Sequence, residues 1–312
     1  MPEISVIIPV FNEEKNIGPL CSKIKAALTP LKRSYEIIFV DDGSGDNSLK
    51  ILKDIASGER AVRIISFTRN YGQTAALAAG FEHAQGDILV TMDADLQQDP
   101  ADIPRLLQKM EQGYDIVSGW RKDRKDAFLT RRMPSQIANW LISKITAVNL
   151  HDYGCTLKVY KKKAIEHIYL HGEMHRFLPA LASWNGIDIA EVPVKHHRRK
   201  YGKSSYGLSR TFRVILDLIT VKFLLSFSTR PIQLFGGWGL LSLFFSVVSG
   251  TAVILMKLLR NKDMTGNPLL YLTVLLVVVG IQFIMIGLLG EVMARIYHES
   301  RKHPTYIVKE II

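Results

Sequence analysis

Two carboxylates, Asp93 and Asp95, stand one residue apart directly after the apolar run 88–92. In an extended backbone, residues two apart project to the same side, so both carboxylates can reach one target. Neighbouring carboxylates repel by about 1 kcal/mol at 4 Å in water, and by several times more where the dielectric is low. A hard divalent cation relieves that repulsion, and Mg²⁺ or Mn²⁺ completes its shell with substrate phosphates and water. The spacing therefore predicts a Mg²⁺ or Mn²⁺ site.

The first half of the chain supplies a scaffold for this pair. Short β-branched runs alternate with helix-like segments, which is typical of a mostly parallel, Rossmann-like α/β sheet with crossover helices. Strands are predicted at residues 4–10, 35–40, 62–67, 87–92, 115–120 and 187–194, helices near 12–31, 74–81, 135–148 and 177–184, and an irregular piece at 151–160. Residues 121–132 are interpreted as a charged loop.

Three of these strands end in acids or next to them, in the segments "PVFNE", "VDDGSGD" and "DADLQ". Parallel strands place ligand sites outside their carboxyl ends, so the three segments are expected at one edge of the sheet. Within the second segment, we expect Asp42 to bind a base or ribose and Asp46 to cap the following helix.

Two long segments, residues 234–256 and 269–290, contain no charged residue. Each reaches the roughly 20 apolar residues that span a bilayer, and burial in a soluble core is disfavoured because soluble helices rarely stay uncharged for so long. Lys and Arg are more frequent on both flanks than in the connection between the segments, which predicts that the flanks, and the large domain with them, face the cytoplasm. The amino-terminal apolar run is too short for a signal peptide.

The domain organisation predicted from these patterns has four parts. A cytoplasmic catalytic domain covers 1–208, interfacial amphipathic helices 209–230, a transmembrane hairpin 231–290 with helices near 232–258 and 268–290, and a basic cytoplasmic tail 291–312.

The net charge of +11 is concentrated at 195–203 and before the hairpin, where it meets lipid phosphates, so nucleic acid is not expected as a partner. Cys21 and Cys155 have no paired spacing, which argues against a disulfide framework or a zinc site.

Four sequence blocks carry a family resemblance. "VIIPVFNEE", "FVDDGSGDNS", "RNYGQTAALAAGF" and "TMDADLQQDP", in this order, resemble family 2 glycosyltransferases with the glycosyltransferase A fold. With the hairpin, the chain resembles the polyisoprenyl-phosphate glycosyltransferases within that family. The resemblance implies transfer of one hexose from a nucleotide sugar to polyisoprenyl (undecaprenyl) phosphate. UDP-glucose is the preferred donor by resemblance alone, and GDP-mannose or a modified UDP-sugar is the alternative.

The resemblance also implies roles for individual residues. The residues it places around the nucleotide sugar are Pro9, Phe11, Glu13, Val40, Asp42, Asp93, Ala94 and Asp95. It places Gln97 beside the metal and Arg121 near the phosphates. The family's "RxxGxS" block matches at Arg199, Gly202 and Ser204, whereas Ser205 stands where mannose synthases have a lysine, a place that Lys203 could take.

Charge neutralisation is the expected basis of catalysis. A phosphate monoester is mostly dianionic near neutral pH, because its second pKa is about 6, so the acceptor needs little deprotonation. Positioning and cationic side chains then matter most, and one attack inverts the anomeric carbon. The candidates for binding the acceptor phosphate are Arg131, Arg132, Arg199, Lys203 and Ser204. Asp152 is either a general base or acceptor orienter, or a turn aspartate bonded to its own backbone. Candidate catalytic residues are thus Asp152, Arg121 and Arg199.

Two other functions compete with this hypothesis. A processive polysaccharide synthase predicts a "QxxRW" motif and more membrane spans, and this sequence has neither. A non-catalytic membrane partner protein is expected to have lost acids at "DAD" or "DDGS", and all of them are present. The predicted partners are a nucleotide sugar, a polyisoprenyl phosphate and the bilayer, and association with further copies of the chain stays open.

Overall fold

The computed structural model describes residues 1–122, 142–143, 148–166, 168, 170, 174–183, 186–198, 231–260, 266–299 and 306–312. Contacts divide the chain into two units, Met1–Val221 together with Pro304–Ile312, and Lys222–His303. Most of the predicted helix 135–148, nearly all of the charged loop 121–132 and the whole interfacial segment 209–230 lie outside the described residues.

The first unit is built on an eight-stranded sheet. The strands are β1 (Ile4–Val10), β2 (Tyr35–Asp41), β3 (Val62–Phe67), β4 (Ile88–Thr91), β5 (Ile116–Trp120), β6 (Lys158–Lys161), β7 (Ile189–Pro193) and β8 (Val308–Ile311), in the order β7-β5-β6-β4-β1-β2-β3-β8. Strands β4, β1, β2 and β3 run parallel, β5 and β7 run parallel to each other, and β6 and β8 pair antiparallel with their neighbours. This confirms the predicted mostly parallel α/β fold.

Helices cover the sheet because their apolar residues recur at helical spacing. The helices of this unit are α1 (Ile17–Leu28), α2 (Ser48–Gly58), α3 (Gln73–His83), α4 (Ile103–Met110), α5 (Lys162–Ile165) and α6 (Leu178–Ser183). In α4, for example, Ile103, Leu106, Leu107 and Met110 are all buried. Helix α3 approaches β1 so closely that a Cβ on Gly80 would lie 2.2 Å from Ile7 Cγ2. Gly80 therefore lets α3 pack closely on the sheet.

The order in which strands are added reverses at β1. The chain first adds β2 and β3 on one side of β1 and then returns to place β4, also parallel, on the other side, at the centre of the sheet. In open α/β sheets, ligands bind at such a switch point, outside the carboxyl ends of the strands. The loop after β1 is joined there to the loop after β2, because the Asn12 main-chain N–H donates to Ser44 Oγ at 3.0 Å and Gly45 N–H donates to Asn12 Oδ1 at 2.8 Å. The N-cap of α2 is Asn47 rather than the predicted Asp46, but Asp46 accepts the main-chain N–H of Ser48, the first residue of α2, at 2.9 Å.

Two strands differ from the sequence analysis. Strand β6 lies in the second half of the piece that was expected to be irregular, and β8 lies in the segment that was expected to be a basic tail. Both are only four residues long and carry charged residues, so a run of apolar residues does not mark them. The tail therefore contributes to the sheet.

The second unit contains two long helices, α7 (Pro231–Arg260) and α8 (Pro268–Glu299). Their candidate spans, Pro231–Leu259 and Pro268–Met293, have mean hydropathies of 2.1 and 2.7, and only 17% and 11% of their most apolar stretches are buried. The pair packs through Gly239 and Gly280, where an added Cβ would lie 2.8 Å and 3.0 Å from the carbonyl oxygen of the other glycine. Ser249 and Thr273 share a hydrogen bond of 2.9 Å between the helices. The exposed apolar faces match the predicted membrane hairpin.

Candidate active site

The loops at the switch point have unusual backbone conformations. Asn12, after β1, and Leu96, after β4, have φ angles of 56° and 60°. Non-glycine residues rarely adopt this left-handed region, and such outliers cluster at functional sites. At Leu96 the turn reverses the chain immediately after Asp93 and Asp95, and the Gln97 main-chain N–H then donates to Asp95 Oδ1 at 3.0 Å.

Hydrogen bonds from neighbouring elements hold the Asp93 carboxylate in place. Gln73, the first residue of α3, donates from Nε2 to Asp93 Oδ1 at 2.7 Å. Thr156 donates its hydroxyl to Oδ2 at 2.9 Å, and Gln98 donates from Nε2 to the same oxygen at 3.3 Å. Gln98 also accepts from the Asp93 main-chain N–H at 3.0 Å through Oε1. Three separate segments therefore fix this side chain.

The carboxylate pair carries electrostatic strain. Burial, followed by the charge of Asp95, raises the pKa of Asp93 to about 6, although Thr156, Arg121 and Lys158 act in the opposite direction. Asp95 itself is buried, with 7% of its surface exposed. Among the described residues no group of three His, Cys, Asp or Glu side chains could hold a metal. Two carboxylates that disfavour joint ionisation fit a divalent cation whose remaining ligands are phosphates and water.

Asp42 lies at the same edge and supports a neighbouring loop. Its two carboxylate oxygens accept the main-chain N–H groups of Tyr71 and Gly72 at 2.6 Å and 2.9 Å. Burial raises the pKa of Asp42 above its usual value, although these two hydrogen bonds act in the opposite direction. Asp42 therefore fixes the loop that leads into α3, and each of its oxygens has the capacity to accept a second hydrogen bond.

The other residues predicted around the nucleotide differ in exposure. Phe11 is 46% exposed, and Glu13 and Pro9 are half-buried at the end of β1. Val40 has no exposed surface, and Ala94 is buried at 3%. Val40 lies between β1 and β3 and offers no accessible surface to a nucleotide, whereas Phe11 presents an exposed ring.

Arg121 and Asp152 form a bidentate ion pair. Arg121 Nε lies 2.6 Å from Asp152 Oδ2, and Arg121 Nη2 lies 2.8 Å from Asp152 Oδ1. The Gly154 main-chain N–H donates to Asp152 Oδ1 at 3.2 Å, so the turn bonding considered for Asp152 is also present. Asp152 is 2% exposed. In this geometry the carboxylate orients the Arg121 guanidinium.

A cavity of about 30 Å³, room for about one water, opens beside Asp93. Its lining includes Lys158, His175 and Arg176. Lys158 Nζ donates to the carbonyl oxygens of Tyr153 and Cys155, and burial lowers its pKa. Thr74 Oγ1 lies 2.7 Å from His175 Nδ1, which ties α3 to the segment before α6. Sequence analysis missed Lys158, His175 and Arg176.

The remaining predicted residues fall into two groups. Gln97 is half-buried beside Asp95, and its Nε2 donates to the His197 carbonyl oxygen at 3.5 Å. Asp99, the third acid of the same loop, accepts from the Ala101 main-chain N–H at 3.1 Å and lies 3.1 Å from His197 Nε2. The predicted residues outside the described part of the chain are Arg131, Arg132, Arg199, Lys203 and Ser204.

A mostly parallel sheet with an acid pair after its fourth strand, next to the edge where the sequence predicts the nucleotide, is the arrangement of a glycosyltransferase A domain. The chain belongs to Glycosyl transferase family 2, whose sequence pattern matches residues 5–169.

Two bacterial relatives are similar to this chain over nearly its whole length. A dodecaprenyl-phosphate galacturonate synthase of Rhizobium johnstonii is 42% identical over 99% of this chain and 93% of its own length. An undecaprenyl-phosphate 4-deoxy-4-formamido-L-arabinose transferase of Edwardsiella ictaluri is 38% identical over 99% of this chain and 94% of its own. The resemblance to polyisoprenyl-phosphate glycosyltransferases is thereby confirmed.

A solved structure confirms the fold. Glucosyl-3-phosphoglycerate synthase from Mycobacterium tuberculosis, crystallised with Mn²⁺, UDP and phosphoglyceric acid, matches with a TM-score of 0.54 and 20% identity. The match covers 71% of this chain and 78% of that one.

The raised pKa of Asp93 predicts a pH-dependent effect of Asp93→Asn on stability. Without metal, a carboxyl whose pKa rises from 3.8 to about 6 on folding stabilises the fold at low pH and loses that contribution between these values. We therefore expect the unfolding temperature of Asp93→Asn, relative to wild type, to increase between pH 5 and pH 7.5. Thermal unfolding with chelator measures this.

The matched control is Asp54→Asn, which changes an exposed carboxylate of α2. For Asp54→Asn, the difference in unfolding temperature from wild type should stay constant between pH 5 and pH 7.5. A difference for Asp93→Asn that is equally flat would contradict the electrostatic strain assigned to the pair.

Proposed function

We propose that this chain transfers one sugar from a UDP-sugar to the phosphate of a polyisoprenyl phosphate, with inversion and dependence on a divalent metal, at the cytoplasmic face of a membrane. The observation that carries the proposal is the Asp93 and Asp95 pair, held rigidly beside the nucleotide edge of the sheet. The apolar hairpin and the names of the full-length relatives support a lipid phosphate as acceptor.

The donor sugar is proposed to be a hexuronate. The relative with 42% identity is a dodecaprenyl-phosphate galacturonate synthase. The relative with 38% identity is a transferase of 4-deoxy-4-formamido-L-arabinose. UDP-glucose, the donor preferred from the sequence, has no such support from these two relatives. The mycobacterial enzyme, which has the same fold, was crystallised with UDP and Mn²⁺, and this supports UDP as the nucleotide.

Asp93 and Asp95 are the residues that would hold the metal. A divalent cation bound there supplies positive charge to the leaving diphosphate. Gln73, Thr156 and Gln98 keep the Asp93 carboxylate from turning away, so little reorganisation is needed when substrate binds.

On the acceptor side, cations that stabilise negative charge matter more than a base that removes a proton. The lipid phosphate already carries negative charge, so it can attack the anomeric carbon directly, and one such attack inverts the configuration. Among the described cations, Arg121 is best placed to stabilise the negative charge of the phosphates. Asp152 fixes its guanidinium, and the positive charge of Arg121 acts on Asp93. We propose Arg121 as a catalytic residue and Asp152 as its positioning residue. Arg131, Arg132, Arg199, Lys203 and Ser204 stay predictions for the acceptor phosphate.

A donor panel tests the reaction and its metal dependence together. With undecaprenyl phosphate as acceptor, we expect UDP-galacturonate to be turned over faster than UDP-glucose, UDP-4-deoxy-4-formamido-arabinose or GDP-mannose. Asp95→Asn should lower kcat by at least about a hundredfold, because a charge-stabilising ligand is lost. Asp99→Asn, in the same loop but bonded to Ala101 and His197, should stay within about threefold. No turnover of any donor would contradict the proposal.

The pH profile of kcat separates the two roles considered for Asp152. If Asp152 positions Arg121, Asp152→Asn lowers kcat by about ten- to a hundredfold, and the acid limb of the profile keeps its midpoint. If Asp152 is a general base, its removal abolishes that limb. Arg121→Lys, which keeps the charge but loses the bidentate geometry, should resemble Asp152→Asn.

Cysteine labelling tests the orientation of the chain. Cys21 and Cys155 are buried at 4% and 0% exposure, so added cysteines dominate the signal. In intact bacterial cells, a membrane-impermeant maleimide should label Lys262→Cys, in the connection between the two hairpin helices. It should label Lys50→Cys, an exposed position of α2, only after lysis. The reverse pattern would place the catalytic unit outside.

A further inference from the structure

The carboxyl-terminal segment 306–312 closes one edge of the catalytic sheet. Strand β8 pairs antiparallel with β3, with Ser66 opposite Glu310 and Phe67 opposite Val308. Ile64 and Ile312 exchange both main-chain hydrogen bonds, at 2.8 Å and 2.9 Å. The segment therefore covers backbone groups that an edge strand leaves unpaired.

Tyr306 anchors this segment next to the end of β3. Its ring is 7% exposed and stacks on Phe67, with centroids 5.0 Å apart and an interplanar angle of 21°. Its hydroxyl donates to Glu82 Oε2 on α3. The next residue, Ile307, accepts the Thr68 main-chain N–H at 3.3 Å through its carbonyl oxygen. The tail thus contacts the point where β3 passes into the following loop.

That loop, Thr68–Gly72, packs against Asp42 and Gly43 at the carboxyl end of β2. The Tyr71 ring packs edge-on against Phe67 at 5.6 Å, so Phe67 lies between the rings of Tyr71 and Tyr306. The Tyr71 and Gly72 main-chain N–H groups bind Asp42, as described above. Gly43 lies so close to the loop that an added Cβ would be 2.5 Å from the Arg69 carbonyl carbon. A displacement of the loop would therefore displace Asp42 and Gly43.

We propose that segment 306–312 is a positioning element of the donor-nucleotide site, acting through the Phe67 ring and the Thr68–Gly72 loop on Asp42. Tyr306 is its main positioning residue. The inference rests on the proposed function only in taking Asp42 as part of the nucleotide site. The segment follows the second membrane helix in the chain, so the donor site depends on residues that lie beyond the hairpin in sequence.

The test compares Tyr306→Ala with Tyr306→Phe in the full-length protein. Tyr306→Phe keeps the ring on Phe67 and loses only the bond to Glu82. We expect Tyr306→Ala to raise both the Kd for UDP with Mn²⁺ and the KM for the nucleotide sugar about tenfold, with kcat and the KM for polyisoprenyl phosphate within about twofold. Tyr306→Phe should restore nucleotide affinity to within about threefold of wild type. Lys50→Ala, at an exposed position of α2 outside this segment, is the control and should behave as wild type.

Amide hydrogen exchange gives an independent readout. In Tyr306→Ala, the Tyr71 and Gly72 amides should exchange faster while the β1 amides stay protected. If Tyr306→Ala does not fold, Tyr306→Leu keeps the apolar volume and tests the same loss of stacking. Wild-type affinity for UDP in these variants overturns the inference and leaves the proposed function intact. A loss of kcat in proportion to folded protein, with unchanged nucleotide affinity, overturns it as well. Failure of the wild type to bind UDP overturns the proposed function itself.

Discussion

The repulsion between Asp93 and Asp95 is the constraint on which the site depends. Both carboxylates are brought together by a four-residue strand and by a turn with Leu96 in the left-handed region. Separate hydrogen bonds from α3, from the residues before β6 and from Gln98 prevent Asp93 from relaxing away. The fold therefore maintains an arrangement whose electrostatic cost a divalent cation, bound as proposed, would remove.

The rest of the sheet serves this pair from two sides. The loop after β1 carries Phe11 and Glu13 at the edge proposed to bind the nucleotide. At the same edge, Asp42 fixes the loop before α3 through the N–H groups of Tyr71 and Gly72. Asp152 holds the guanidinium of Arg121. In the proposed reaction, this positive group would reduce the repulsion between the attacking phosphate and the leaving diphosphate.

Sequence patterns predicted the parallel strands, the hairpin and the acid pair because each carries a local signal: β-branched runs, long uncharged segments and the two-residue spacing. They missed Gln98, Thr156 and Lys158, whose contacts join residues distant in sequence or depend on an unusual turn. Strand β6 was taken as irregular because Lys158 and Lys161 occupy a four-residue strand. Strand β8 was missed because its partner β3 lies more than 200 residues earlier, and no local pattern encodes that pairing.

Calorimetric titration of UDP into the full-length protein, with Mn²⁺ and with chelator, tests the central claim most directly. If the acid pair needs a cation to accept the diphosphate, UDP binds at least about tenfold more tightly with Mn²⁺. Equal affinity for UDP in Mn²⁺ and in chelator would contradict the account.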